Sequence, residues 1–485
     1  MALMHSYGTT LPAKVEVVEM VREAEGWMNG VQAKMKPEDE SILWTAPLTG
    51  HDWTCPDTLR AIEWFRSLTE GPRLESRLDA CRVHYEKSRE AVEDGYSSSL
   101  FDPRDSVAWY ILQAESYATD RRFWTPDEAA RIVPYIRRIG QLRDHLSRVD
   151  GVEDRVARFI NGDGAQPDGP IFELLVAGAW VARGYSVRFI PEQLGGSRTP
   201  DLEARKKRSR WAIEAKRMMP SAYGKRERDK GRKIAANLHD LCESLGHSVV
   251  VDVVYEKELE EYSDDFLASC VREFLPIRES RTIDHEGARI TVRPVAWPVV
   301  QRVFAADYVF IGSSRMTELV NGMCDDGSYH DLRVRCRRAN SRPSYADRLS
   351  RASLVNWTCT APPAVKARAK HFKKKLTDAE GQLPDNCPGL IHVGMDSSGR
   401  SDSDQLRHYA NGREAAGLIP GRSRPKWVYG NYFKVEATTR PNEALAMEET
   451  MAPYKVGRHR TRDPLPSRLL LCDDQDRAHW GAYWD

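Results

Sequence analysis

The chain has 485 residues, 41% apolar and 29% charged; the length predicts two or three domains, and the composition excludes a largely disordered protein. Its 72 lysines and arginines against 71 aspartates and glutamates leave a net charge of +1, which excludes a uniformly basic surface, so any footprint for a polyanion has to be local. The nine cysteines form no Cys-x-x-Cys pair, Met1 to Lys14 lacks a secretory pattern, and the most apolar run, Ile171 to Ala182, is too short to cross a bilayer; a cytoplasmic protein with reduced thiols and no membrane partner is expected.

Residues 1–160 read as a mainly α-helical accessory domain. Leu59, Ile62, Phe65 and Leu68 recur at roughly helical spacing after Pro56-Asp57, and a second helix is expected from about Asp105 through Trp109 and Leu112. At Thr125-Pro126-Asp127-Glu128, Thr125 can cap, Pro126 fits the first helical position and Glu128 can close a capping box. No nucleophile–base pair or metal-ligand cluster occurs there. No motif argues for dimerisation either, and a homodimer is left open.

Residues 161–255 read as a separate core. The loop 161–170 marks its boundary, with Asp168 placed to cap the next helix. That helix runs from about Ile171 to Arg183 and stops at Gly184. Tyr185 to Ile190 reads as a strand, Gly195 to Arg198 as a turn, and Leu202 to Arg205 and Trp211 to Ala215 as a hairpin with a basic tip. A helix from about Lys225 to Leu245 and an apolar strand, Val249 to Val254, of the kind buried in parallel sheets, complete the unit.

Residues 256–485 read as an α+β extension. A helix over 265–274, a hairpin over 282–295, a polar, irregular, arginine-rich stretch over 312–362 and an amphipathic helix over Val365 to Ala379 are expected. Strands at Gly389 to Val393 and Trp427 to Glu436 either continue the central sheet or form a small sheet of their own. The tail from about 450 reads as irregular.

The chemistry concentrates between 173 and 216. Asp201 and Glu214 lie on neighbouring arms of a hairpin, where their carboxylates can converge on a hard divalent cation. Lys216 lies two residues beyond Glu214, hence on the same face of its strand, where an ammonium can orient an attacking water or neutralise a phosphate. Glu173 sits among Ile171, Phe172, Leu174 and Leu175, surroundings in which an unpartnered carboxylate is costly. Its ordinary reading is an early-helix acid favoured by the helix dipole, and that of Glu214 and Lys216 is a solvated cross-strand ion-pair network.

Glu173, Thr199-Pro200-Asp201 and Ile213-Glu214-Ala215-Lys216, with twelve residues between Asp201 and Glu214, resemble the PD-(D/E)xK nuclease superfamily over residues 169–255. The resemblance implies an α/β fold, a restriction-endonuclease-like mixed sheet flanked by helices, here with an α-helical N-terminal domain. It also implies that Asp201 and Glu214 hold Mg2+, with Mn2+ as a substitute, that Lys216 is the catalytic lysine, and that Glu173 is an auxiliary acid and metal ligand. The expected activity is endonucleolytic phosphodiester hydrolysis, with DNA favoured over RNA as substrate and a restriction or host-defence role by association.

Basic clusters supply the candidate nucleic-acid contacts. Lys225, Arg226, Arg228, Lys230 and Lys233 follow directly after the candidate site and are favoured for phosphate contact. Arg205 to Arg210, Lys366 to Lys374 and Arg333 to Arg342 read more simply as solvated faces. The alternative to an enzyme is a catalytically silent nuclease-like module that binds nucleic acid or acts as a scaffold. No phosphate-loop lysine motif, Gly-x-Ser-x-Gly elbow or His-Glu-x-x-His helix supports another hydrolase class.

Overall fold

A computed structural model describes residues 55–472 except 70, 94–98, 120–121, 162–165, 192–198, 219–220, 323–327, 341, 370–371, 398–400, 419–423, 438–444 and 466–468. Residues 1–54, the turn expected at Gly195 to Arg198 and residues 162–165 of the 161–170 loop lie outside the described residues.

The described residues open with helices: α1 (Pro56–Ser67), α2 (Gly71–Glu93), α3 (Ser106–Ala118), α4 (Pro126–Gln141), a single turn α5 (Arg143–Leu146) and α6 (Val152–Asn161). Asp105 starts α3 by accepting the Ala108 N–H at 3.1 Å. Thr125 and Pro126 take the expected positions at the start of α4, but no capping box forms: the Thr125 hydroxyl donates to Gln113 Oε1 at 2.9 Å. Gly140 lets α4 pass α1 at backbone contact, since a Cβ there would stand 1.8 Å from the Asp57 carbonyl oxygen.

Next comes α7 (Asp168–Ala182), buried around almost its whole circumference. Asp168 lies inside its first turn and accepts from the Tyr110 hydroxyl at 2.9 Å, so it ties α7 to α3 instead of capping. Strands β1 (Ser186–Phe189), β2 (Leu202–Lys206) and β3 (Ser209–Met218) follow as an antiparallel meander, with Leu202 opposite Ile213. Helix α8 (Ala222–Leu245) starts on the Ser221 cap and ends at left-handed Gly246.

Strand β4 (Val249–Tyr255) departs from expectation. The sequence reading groups it with the hairpin in one core over residues 161–255; in the structure it is central to a second sheet. At ~1.5 Å per residue, the 24 residues of α8 carry the chain some ~36 Å from β3 before β4 begins. The second sheet is then built from α9 (Phe266–Val271), β5 (Arg281–His285), β6 (Ala288–Arg293), α10 (Trp297–Ala306), β7 (Val309–Phe310), α11 (Ser314–Asn321), β8 (Tyr329–Ala339) and β9 (Arg342–Cys359). Its order is β5-β6-β4-β9-β7, with β8 also paired to β9. The stretch expected to be irregular over 312–362 therefore holds α11 and two long strands. Arg333, Arg335 and Arg337 lie on one face of β8, and that polar face hides the alternation.

Helices α12 (Pro362–Arg368) and α13 (Phe372–Glu380) replace the single helix expected from 365 to 379. The chain then re-enters the first sheet as β10 (Gly389–Asp396), passes through α14 (Ser401–Ala416), and closes with β11 (Pro425–Ala437) and β12 (Leu445–Lys455), which extends into the expected irregular tail. The first sheet has the order β1-β2-β3-β10-β11-β12, with β10 parallel to both β3 and β11.

The protein is thus mixed α/β, with two mixed sheets. One face of the first sheet shares a single apolar core with α1, α3, α4, α6 and α7, including Trp109, Phe172, Trp180, Ile213 and Phe433. Leu376, Ala379 and Ala415, from α13 and α14, help cover its other face. Alternate β4 residues point to opposite sides: Val249, Val251 and Val253 toward α8 and α9, Val250 toward Val300 and Val320.

Candidate active site

The β2–β3 ladder stops at Leu202–Ile213, and β3 runs on alone on that side through Glu214, Ala215 and Lys216. The backbones of β2 and β3 diverge at Asp201, and the side chains of Asp201 and Glu214 fill the opening. The Asp201 N–H donates to Glu214 Oε2 at 3.2 Å, and Asp201 Oδ2 accepts the Ala215 N–H at 2.8 Å. This reciprocal pairing fixes both carboxylates at the mouth of the hairpin. On the other side β10 supports β3, with Ile391 opposite Glu214 and Val393 opposite Lys216.

Lys216 shares the face of Glu214, as strand alternation predicts. Its Nζ contacts Glu214 Oε1 and donates to Gln382 Oε1 at 2.7 Å. Glu173 approaches from α7 and feels the charge of Asp201, so the three acids occupy one electrostatic neighbourhood. Arg155, from α6, lies among them. Its Nε donates to Glu173 Oε2 at 2.6 Å, its Nη2 also contacts that oxygen, and Nη2 lies 3.8 Å from Asp201 Oδ1.

Burial dominates the protonation equilibria. Removal from water, with the Asp201 charge close by, pushes the Glu214 carboxyl up to about 8 and that of Glu173 up to about 7. Burial raises Asp201 as well, against the opposing pull of the Ala215 N–H and of Lys216. Folded-state values above the unfolded ones mean that, above the ordinary glutamate value of 4.5 and up to about 8, the folded chain binds more protons than the unfolded one. The stabilising contribution is complete below that window and is lost as pH rises through it. In the presence of chelator, the melting temperature is therefore expected to fall between pH 5 and 8, and Glu214→Gln to flatten that fall. Calorimetric melting at stepped pH checks this, and an unchanged slope in the variant refutes it.

The donor set is all carboxylate oxygen, the chemistry that suits a hard divalent cation. Asp201 and Glu214 fit that role, whereas Glu173 is engaged by Arg155. Among the described residues, no group of three or more His, Cys, Asp or Glu side chains is placed to hold a metal ion.

A second cluster lies at the same end of the sheet. Arg217 reaches Asp396 on β10 and the Tyr135 hydroxyl at 3.1 Å, and its guanidinium lies 5.3 Å from the Phe433 ring centre. Arg155, Gln382, Arg217 and Asp396 are absent from the sequence reading. Arg217 directly follows Lys216, which was a usable signal; Arg155 and Gln382 carry none, because only the tertiary fold brings them to the site.

Among the expected phosphate contacts, Lys225, Arg226 and Lys233 are exposed on α8, Arg228 is half-buried, and Lys230 contacts Asp264. At the hairpin tip, Arg205 and Arg210 both turn back on the buried Glu203, at 2.5 and 2.6 Å, which lowers its carboxyl and uses their charge locally. No helix in the described residues is long and apolar enough to cross a membrane.

No family model, no curated protein and no solved structure matches the chain.

Proposed function

We propose that the protein is a metal-dependent phosphodiesterase of the PD-(D/E)xK type that cuts nucleic acid internally, with DNA as the favoured substrate and Mg2+ or Mn2+ as the cation. The supporting observation is the convergence of Asp201, Glu214 and Lys216 where β2 and β3 part, with Glu173 beside them. Asp201 and Glu214 would hold the divalent cation, which when bound would supply a polarised water and neutralise phosphate charge. Lys216 holds a positive charge beside Glu214 and places it near an incoming phosphate. Gln382 limits the directions that ammonium can take. Glu173, with its carboxyl near 7, is suited to exchange a proton at neutral pH. The exposed Lys225, Arg226 and Lys233 provide a basic surface on the helix that follows β3.

One observation favours the non-catalytic reading. Arg155 and Lys216 already neutralise Glu173 and Glu214, as in a structural ion-pair network. The two readings part in a single experiment. The protein is incubated with supercoiled plasmid, single-stranded DNA and RNA, with Mg2+, Mn2+ or chelator. Metal-dependent nicking or fragmentation, absent with chelator, supports the enzyme. Metal-independent binding with every substrate intact supports the silent module.

A further inference from the structure

A cavity of about 340 Å³ opens between the C-terminal half of α8 and the β8–β9 ribbon. This lies within the size range of small-ligand pockets. Four arginines line it, Arg333, Arg335, Arg338 and Arg351, against one carboxylate, Glu243. Arg335 stands directly opposite Arg351 across the ladder, a like-charge pairing that opposes strand association. Glu243 is shared, at 3.0 Å from Arg335 and 3.9 Å from Arg333, while Arg351 donates to the Glu243 backbone oxygen at 3.2 Å. Arg333 is also held by Asp240, so the mismatch falls on Arg335 and Arg351, two guanidinium groups of five N–H donors each that share the single residue Glu243. Further along the ribbon Arg337 stands opposite Arg348, with Asp347 on Arg337 at 2.8 Å.

The floor is also built. His239, buried on α8, bonds Ser353 Oγ at 2.6 Å through Nδ1 and lies 3.2 Å from Asp331 Oδ1 through Nε2. Val334, Ala352 and Cys242 supply apolar wall beside it. Cationic rim, fixed polar floor and apolar wall are the parts needed to bind an anionic head on a flat or apolar body.

We infer that this cavity binds a small phosphate-bearing molecule of mononucleotide size, its phosphate on Arg335 and Arg351 and its body against the Val334–Ala352 wall. Arginine suits this because its planar fork pairs phosphate oxygens two at a time. Lys216 precedes the start of α8 and the cavity lies at its far end, about 30 Å away along a helix rising ~1.5 Å per residue. The inference is independent of the nuclease reading.

Titration calorimetry with AMP, ATP and inorganic pyrophosphate tests it, on the full-length chain in chelator so that no cleavage intervenes. At least one probe is expected to bind, with affinity falling about tenfold in Arg335→Ala and further in Arg335→Ala/Arg351→Ala. Arg335 is exposed, so its replacement leaves the fold intact, as circular dichroism can verify. Ser353→Ala, at the floor, is expected to weaken AMP more than pyrophosphate. No binding by any probe, binding unchanged in the double variant, or arginine-dependent binding of an oligonucleotide but of none of the three probes overturns the inference.

Discussion

Replacing Lys216 by alanine is expected to lower DNA cleavage by roughly 10²- to 10⁴-fold, the range that one positioned acid–base or charge-stabilising group contributes. Glu214→Gln is expected to be at least as damaging, because it removes a ligand charge as well as the anchor of Lys216. Neither change removes apolar packing, and Lys216 is half-buried at the edge of the site. Both variants are therefore expected to melt within a few degrees of wild type at neutral pH. Glu214→Gln relieves its repulsion with Asp201, and is expected to melt no lower. Lys216→Arg discriminates further. Arginine keeps the charge but not the compact geometry of an ammonium, so a ligand to Glu214 survives while catalysis does not recover. Cleavage rates under single-turnover conditions, with melting curves alongside, measure each arm. Equal cleavage by wild type and both variants removes Glu214 and Lys216 from the mechanism.

The second large effect is on stability. Arg368 and Glu227 form a salt bridge with side chains 1% and 2% exposed, joining α12 to α8 at 2.6 Å. The Arg368 guanidinium also donates to the Cys359 carbonyl at 2.8 Å and the Ser403 hydroxyl at 3.1 Å, so one side chain ties α8, β9, α12 and α14. Glu227 Oε2 has no hydrogen-bond partner among the described residues, so the carboxylate depends on Arg368. Arg368→Ala leaves that charge buried and uncompensated, a loss of about 3–5 kcal/mol. Removing both partners, as Arg368→Met with Glu227→Leu, is expected to recover most of it, because two apolar groups need no mutual compensation. Urea midpoints of the single and double variants measure the difference, and a double variant as unstable as the single one contradicts the account.

Local chemistry made part of this architecture legible. Pro56, Pro126, Gly184 and Gly246 mark helix ends by backbone preference alone, and each marks one in the structure. The Glu214–Lys216 relation followed from strand alternation, and the crowding of Asp201 against Glu214 from the hairpin spacing. What failed depended on distant partners. Val249 to Tyr255 is apolar on both faces, and such a strand fits the centre of any sheet; nothing local says which. The β8 arginines read as irregular because a half-solvated strand presents its polar face in composition. Arg155 and Gln382 join the site only through α6 and the turn after α13, at separations no spacing rule reaches.

The return of β10 to β3 has a consequence for the order in which the molecule is made. Glu214 finds its strand neighbour in Ile391, more than a third of the chain later, after the whole second sheet has been synthesised. Closing so long a connection is entropically costly and slow relative to local pairing. Until then β3 has an open edge, and Gln382, which orients Lys216, has either not been made or not docked. A chain emerging from the ribosome therefore carries its acids and lysine without the frame that aligns them. On the proposed function, assembly itself would delay the chemistry until about residue 396 is in place.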